Sequence, residues 1–248
     1  MKINLYLTPV PFSKAAVEKK AVVVIDVLRS STSICAALSA GAKGVIPMVG
    51  PGEAGEMWTK IGSDMAILAG ERNGVRIENF QLGNSPAEFT AETVGGKFVI
   101  MTTTNGTAVF GKTYSASPVL SCALANISAV ADRLAQENRD VLIACCGREG
   151  HFSIEDTLCG GMLVHQLKNK HGLAIEQNDA SALALLLYET NQHRISEAIV
   201  EGEHARFLTS IGFEGDVTVA SEIDSIPVLP FLKDGRLILE DNRESGAS

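Results

Sequence analysis

The sequence predicts an α/β protein, a three-layer α/β/α sandwich around a largely parallel or mixed central sheet, and three observations carry that expectation. Short apolar runs rich in Val and Ile recur along the 248 residues, at Ala21–Ile25, Gly44–Met48, Ala66–Ala69, Lys97–Met101, Val119–Ser121, Val141–Cys145 and Val217–Ala220. They show little alternation of polar and apolar residues, as strands covered on both faces do. Helical patterns lie between several of them. Finally, hydrophobic residues make up 46% and charged residues 20%, the usage of a globular chain able to bury a sizeable core.

The elements follow in order. Ser31–Ala40 sets Ile34, Ala37, Leu38 and Gly41 on one stripe and reads as a helix packed on the first strand. Gly52–Lys60 follows Pro51, a favourable opening residue for a helix. In "NSPAEF", Ser85 and Glu88 have capping-box spacing and Pro86 takes the first helical position, so a helix is expected to begin there. Ile127–Gln136 has an amphipathic pattern. The last third is helical in character over Ile154–Asn169, Ala180–Glu189 and the stretch through Glu197 and Phe207, until the run at Val217. The ending "PVLPFLKDGRLILEDNRESGAS" predicts a short strand or hairpin and then a frayed end. No linker-like tract of Pro, Gly and Ser interrupts the chain, so residues 1–248 are read as one domain.

A formal net charge of -8 argues against a general nucleic-acid binder, because a basic surface is needed to displace counterions from phosphates. A small anion held by a few placed arginines is still compatible with it. No apolar run reaches membrane-spanning length, and "MKINLYLTPVPFSKAAVEKK" lacks the apolar core and cleavage site of a signal peptide. The expectation is a cytoplasmic protein with no membrane partner. Five cysteines with apolar neighbours and no CxxC pair read as reduced thiols, with neither a disulfide framework nor a structural zinc.

Ligands of open α/β sheets gather beyond the carboxyl ends of the strands. Five segments at such ends are rich in Gly, hydroxyls, Arg or acids: "DVLRSST" (26–32), "GERNG" (70–74), "GNSP" (83–86, with Asn84 and Ser85), "TTTNGT" (102–107) and "CCGREGHFSIED" (145–156). Arg29, Arg72 and Arg148 could present planar forks to oxyanions, the last beside Gly147. Ser30, Ser31, Thr32 and the amides of the helix start would add neutral donors. Thr103, Thr104, Asn105, Gly106 and Thr107 read equally well as further donors or as a plain turn before a helix. Asp26, Glu71, Glu155 and Asp156 are the carboxylates, a donor type suited to Mg²⁺. Asp26 ends a Val/Ile strand, where an unpaired charge is costly and a partner is expected.

Other signatures fail. There is no GxxxxGK[ST] loop. A thiolate phosphatase needs Arg six positions after its Cys, but Cys145 and Cys146 have His151 and Phe152 there. The DxDxT motif of aspartate phosphatases is broken by Leu28. Among the histidines, which show no HExxH spacing, only His151 lies in a promising loop, and His165, His171, His193 and His204 read as surface residues.

Taken together and in this order, "VVIDVLRSST", "LAGERNG", "LGNSPAEF", "TTTNGT", "GREGHFSIED" and "IDSIPVLPFLKDGRL" resemble the 2-phosphosulfolactate phosphatase family over almost the whole chain. The resemblance implies a Mg²⁺-dependent acid phosphatase that converts (2R)-2-phospho-3-sulfolactate to 3-sulfolactate and phosphate, a step of coenzyme M biosynthesis in methanogens. It also implies an α/β/α fold and a homo-oligomer, with a dimer expected. On this reading Asp26, Glu71 and Asp156 are the expected metal ligands and Glu155 stands with them as a catalytic carboxylate. The three arginines would oppose phosphate, carboxylate and sulfonate. One departure is Asn79-Phe80-Gln81, where the family pattern carries an acid before "LGNSP". Attack by Asp26 and attack by a metal-bound water are both open. Two alternatives stand beside this reading: a phosphatase for other small 2-phospho-hydroxy acids, and a non-catalytic sensor of a phosphorylated metabolite. A sensor would need the arginines but not the clustered acids.

Overall fold

A computed structural model describes residues 1–9, 14–111, 113, 116, 118–137 and 139–239. The strands are β1 (Lys2–Tyr6), β2 (Ala21–Ile25), β3 (Gly44–Pro47), β4 (Ala66–Arg72), β5 (Val75–Arg76), β6 (Phe98–Thr102), β7 (Val119–Cys122), β8 (Val141–Cys145), β9 (Glu176–Gln177), β10 (Pro230–Lys233) and β11 (Arg236–Leu239). The helices are α1 (Lys14–Val17), α2 (Ser30–Ser39), α3 (Pro51–Ile61), α4 (Ala91–Val94), α5 (Gly106–Phe110), α6 (Ile127–Glu137), α7 (Ile154–His165), α8 (Asp179–Asn191), α9 (Ile195–Val200), α10 (Glu203–Ser210) and α11 (Glu214–Ala220).

Among the described residues these strands form one sheet in the order β5-β4-β6-β3-β11-β10-β7-β2-β8-β1-β9. It is mixed and mostly parallel. One parallel block is β4, β6 and β3; the other is β7, β2, β8, β1 and β9. The C-terminal hairpin β10–β11 lies between them, antiparallel to both, with Leu237 opposite Val45 and Phe231 opposite Leu120. The hairpin expected from the last segment is therefore the joint of the sheet. The frayed end expected beyond it lies in residues 240–248, outside the described residues.

The missing alternation within the strands has a direct cause. In β2, Ala21, Val23 and Ile25 enter the apolar cluster under α6, α7 and α8, while Val22 and Val24 enter the one under α2 and α5. Both faces are covered, so every position is apolar and fully buried. Gly161 in α7 lets α8 approach closely, since a Cβ there would run into the carbonyl of Ala184. No helix among the described residues is long and apolar enough to cross a membrane.

Most expected elements are present within a residue or two. The run Val217–Ala220 is not a strand. It forms the last turns of α11, where Asp216, Val217 and Ala220 are buried at helical spacing. The start at "NSPAEF" closes after a single turn, Pro86–Glu88. Glu88 does reach back to the amide of Ser85 (3.2 Å), but the Ser85 hydroxyl turns away to Asp216. The helix expected over Ile154–Asn169 leaves α-geometry after His165 and ends in a π-turn over Gln166–Lys170. β1 and the two-residue strands β5 and β9 were not expected from the pattern, because each is too short or too polar to stand out.

Candidate active site

Asp26 follows the last residue of β2, and the chain turns there into α2. Its carbonyl accepts from the Ser31 amide (2.8 Å), its amide donates to Ser31 Oγ (3.1 Å), and its carboxylate Oδ1 accepts from the Ser30 amide (3.2 Å). The positive end of α2 is thus directed at Asp26 itself. Ser31 and Thr32, expected to face a ligand, point inward instead. The Ser31 hydroxyl also accepts from Ser121 Oγ (3.1 Å), and Thr32 donates to the Val27 carbonyl (2.8 Å). They shape the turn. Burial pushes the Asp26 carboxyl up from 3.8 to about 6, against the pull of Ser30 and of His204, with the Glu71 charge adding to the rise.

A small cavity opens beside Asp26. Each of the five loops singled out in the sequence supplies part of its wall: Asp26, Arg29 and Ser30; Glu71 and Gly74; Asn84; Thr104 and Asn105; and Arg148. Four of these segments lie at the ends of parallel strands from both blocks of the sheet, whereas 83–86 follows Leu82, which makes only an isolated bridge to Ala69. α10 closes one side with His204, Phe207 and Leu208.

The three arginines differ. Arg29 is buried, with Nη1 donating to Asp216 (2.7 Å), Nη2 to the Gly74 carbonyl (2.7 Å), and its guanidinium 4.3 Å from the Phe213 ring centroid. The Arg148 guanidinium carbon lies over the Phe207 ring, 4.3 Å from its centroid, and its contacts with Glu203 and Glu149 are long, at 3.4 and 3.5 Å. Arg72 is not a wall residue. It donates to the Glu71 carbonyl (2.7 Å) and Thr102 Oγ1 (3.0 Å).

The carboxylates also separate. Glu71 accepts from the amides of Thr104 (2.7 Å) and Gly74 (2.8 Å) and from the Thr104 hydroxyl (3.2 Å), so it binds the 102–107 turn to the β4–β5 hairpin. Asp156 accepts from the amides of Val27 (2.8 Å) and Gly147 (2.9 Å) and joins the ends of β2 and β8 from behind. Burial, with Glu155 and Asp26 nearby, raises its carboxyl well above the ordinary range. Glu155 is buried, with Oε1 2.9 Å from His204 Nδ1 and Oε2 without a hydrogen-bond partner.

The 102–107 turn caps α5. Thr103 and Thr107 exchange amide–hydroxyl bonds of 3.1 and 3.2 Å, Ser30 Oγ reaches Thr103 Oγ1 (3.2 Å), and Asn105 Oδ1 accepts from the Glu149 amide (3.3 Å). A Cβ on Gly106 would run into Asp26 Oδ2 and Ser30 Oγ, so only glycine allows this approach to the carboxylate.

The donor set can be weighed against Mg²⁺. The described residues contain no group of three or more His, Cys, Asp or Glu able to hold a metal, so Asp26, Glu71 and Asp156 do not form the three-acid cage expected from the sequence. Their carboxylates point to different partners. What the cavity offers is the Asp26 carboxylate and Asn84 Oδ1, a buried oxygen with no partner. Two oxygen donors fit the binding mode in which Mg²⁺ keeps several waters and takes the rest of its ligands from a substrate phosphate.

A family model described as 2-phosphosulpholactate phosphatase matches residues 6–235, nearly the whole chain. The chain belongs to this family. Curated relatives include a probable 2-phosphosulfolactate phosphatase of Caldanaerobacter subterraneus subsp. tengcongensis, 38% identical over 95% of this chain and 97% of that protein. One of Clostridium beijerinckii is 35% identical over 97% of this chain and 100% of that protein, and one of Thermotoga maritima 36% over 91% and 94%. The departure at Gln81 lies off the cavity wall, where its Oε1 accepts from the Leu68 amide (2.9 Å). His151 lines a separate outer cavity, and His204, read as a surface residue, stands on the inner wall. Asp216 and Phe207 were missed as well. All three come from α10 and α11, whose sequence carries no motif.

Proposed function

We propose that this chain is a Mg²⁺-dependent phosphatase that hydrolyses 2-phosphosulfolactate in the cavity beside Asp26. The observation that carries the reading is the convergence of a buried carboxylate, an unpartnered amide oxygen and a weakly neutralised arginine on one small cavity. Family membership supports the reaction class, and the names of the relatives support the substrate.

The roles follow from the contacts. Asp26 and Asn84 Oδ1 would hold the cation, which supplies positive charge to the phosphoryl oxygens and lowers the pKa of a bound water. Arg148, stacked on Phe207 and only loosely paired, presents its fork to an anionic group of the substrate. Arg29 is fixed by Asp216 and Gly74, so it places a positive charge on the wall with little freedom to move. Glu71 fixes Thr104, and Asp156 fixes Val27 and Gly147, which keeps the loops in register around the substrate. Phe207 and Leu208 limit water on the α10 side.

The test is the order of kcat/KM values for 2-phosphosulfolactate, 2-phospholactate and phosphoglycolate with Mg²⁺ present. The sulfonated substrate is expected to lead. A lead by either of the others would assign the enzyme to a different phospho-hydroxy acid.

A further inference from the structure

Hydrolysis of an alkyl phosphate expels an alkoxide, a poor leaving group unless a proton reaches it as the P–O bond breaks. The wall offers few sources. Arginine does not give up a proton. Asp26 is assigned to the cation, and Glu71 is engaged with the amides of Thr104 and Gly74. The remaining titratable groups on the wall are Glu149, on the rim, and His204.

We infer that His204 is the catalytic acid that protonates the leaving oxygen, with Glu155 as its positioning residue. Three observations carry this. His204 reaches from α10 into the wall of the cavity that holds Asp26. Its Nδ1 is 2.9 Å from Glu155 Oε1, which orients the ring and leaves Nε2 as the nitrogen available to a substrate. Glu155 is 1% exposed, and its second oxygen has no partner. A buried carboxylate left half satisfied is expensive for a scaffold, and such groups concentrate where they serve a reaction. His204 also borders the outer cavity, together with Ser153 and Glu203, and Arg148 and Glu149 line both openings with it.

The step balances. The attacking water oxygen bonds to phosphorus as the bond from phosphorus to the alkyl oxygen breaks. The electron pair of that bond goes to the alkyl oxygen, which takes the proton from Nε2 and leaves as the free hydroxyl. His204, protonated on both nitrogens before the step, is left neutral with its Nδ1–H still donating to Glu155, and the proton released by the attacking water restores the imidazolium.

This inference rests on the phosphatase reading, and the experiment separates the two. The purified full chain is assayed with Mg²⁺ on 2-phosphosulfolactate and on acetyl phosphate, whose acetate leaves without a proton. His204→Gln is expected to lose about 10²- to 10⁴-fold in kcat on the first, with KM and acetyl phosphate turnover unchanged within about threefold. Glu155→Gln keeps a hydrogen-bonding side chain and is expected to show the same contrast with a smaller loss, which a purely structural role would not produce. Equal losses on both substrates, or less than about a tenfold loss on the first, would overturn the assignment of His204. A wild-type protein inert toward every phosphate ester would overturn the phosphatase reading itself.

Discussion

Replacing Asp26 with Asn removes a charge while keeping the shape and one carbonyl acceptor for the Ser30 amide. Burial lifts the Asp26 carboxyl from 3.8 to about 6. At 1.36 kcal/mol per pH unit, ionising it in the folded protein costs about 3 kcal/mol at neutral pH. The folded value lies above the unfolded one, so the contribution to stability is complete below about pH 3.8 and is lost as pH rises through about 6. In EDTA, Asp26→Asn should therefore be more stable than the wild type at pH 7, by about 1–3 kcal/mol, and the difference should vanish near pH 4. Excess Mg²⁺ should stabilise the wild type, by about 2.7 kcal/mol at a hundred times its Kd, and leave the variant unmoved. Turnover of the variant should fall by about 10² or more. Urea unfolding at several pH values, beside phosphate release from the same preparations, measures all of this. A variant that is less stable than the wild type at pH 7, or stable and fully active, would assign Asp26 to the scaffold.

Other expectations follow from the same contacts. Asp216→Ala leaves the buried Arg29 guanidinium unpaired and should cost about 3–5 kcal/mol in chemical denaturation, whereas a loss below about 1 kcal/mol would show that the pair is not desolvated. Arg148→Lys should raise KM about tenfold or more, because an ammonium cannot reproduce the fork, while Arg72→Lys should change turnover by less than about twofold. The reverse order would exchange their roles. Cys145 is buried, and burial pushes its thiol well above the ordinary range, so Cys145→Ser should retain turnover within about threefold. A folded variant that loses activity by orders of magnitude would restore a thiolate mechanism.

The sheet was legible because strands buried on both faces, such as Ala21–Ile25 and Val141–Cys145, cannot be mistaken for loops, and the glycine-rich turns mark their ends. For the same reason all five candidate loops reach the cavity. Val217–Ala220 misled because β-branched residues also occupy helix α11, where packing against the core outweighs their preference for strands. Within the loops, residue type did not reveal direction. Ser31, Thr32 and Arg72 have the chemistry of ligand binders but turn to the backbone and to neighbouring hydroxyls. His204 and Asp216 were illegible because their partners, Glu155 and Arg29, are 49 and 187 residues away in the chain. Only the packing of α10 and α11 across the strand ends brings them to the site.

If the cavity beside Asp26 hydrolyses a phosphomonoester with the help of a divalent cation, phosphate release from (2R)-2-phospho-3-sulfolactate should depend on metal when the enzyme is stripped of it and then titrated with Mg²⁺. Release should be negligible in EDTA and should recover saturably as Mg²⁺ is added. Full turnover by the verified metal-free enzyme, or none at any Mg²⁺ concentration, would contradict metal-assisted hydrolysis in this cavity.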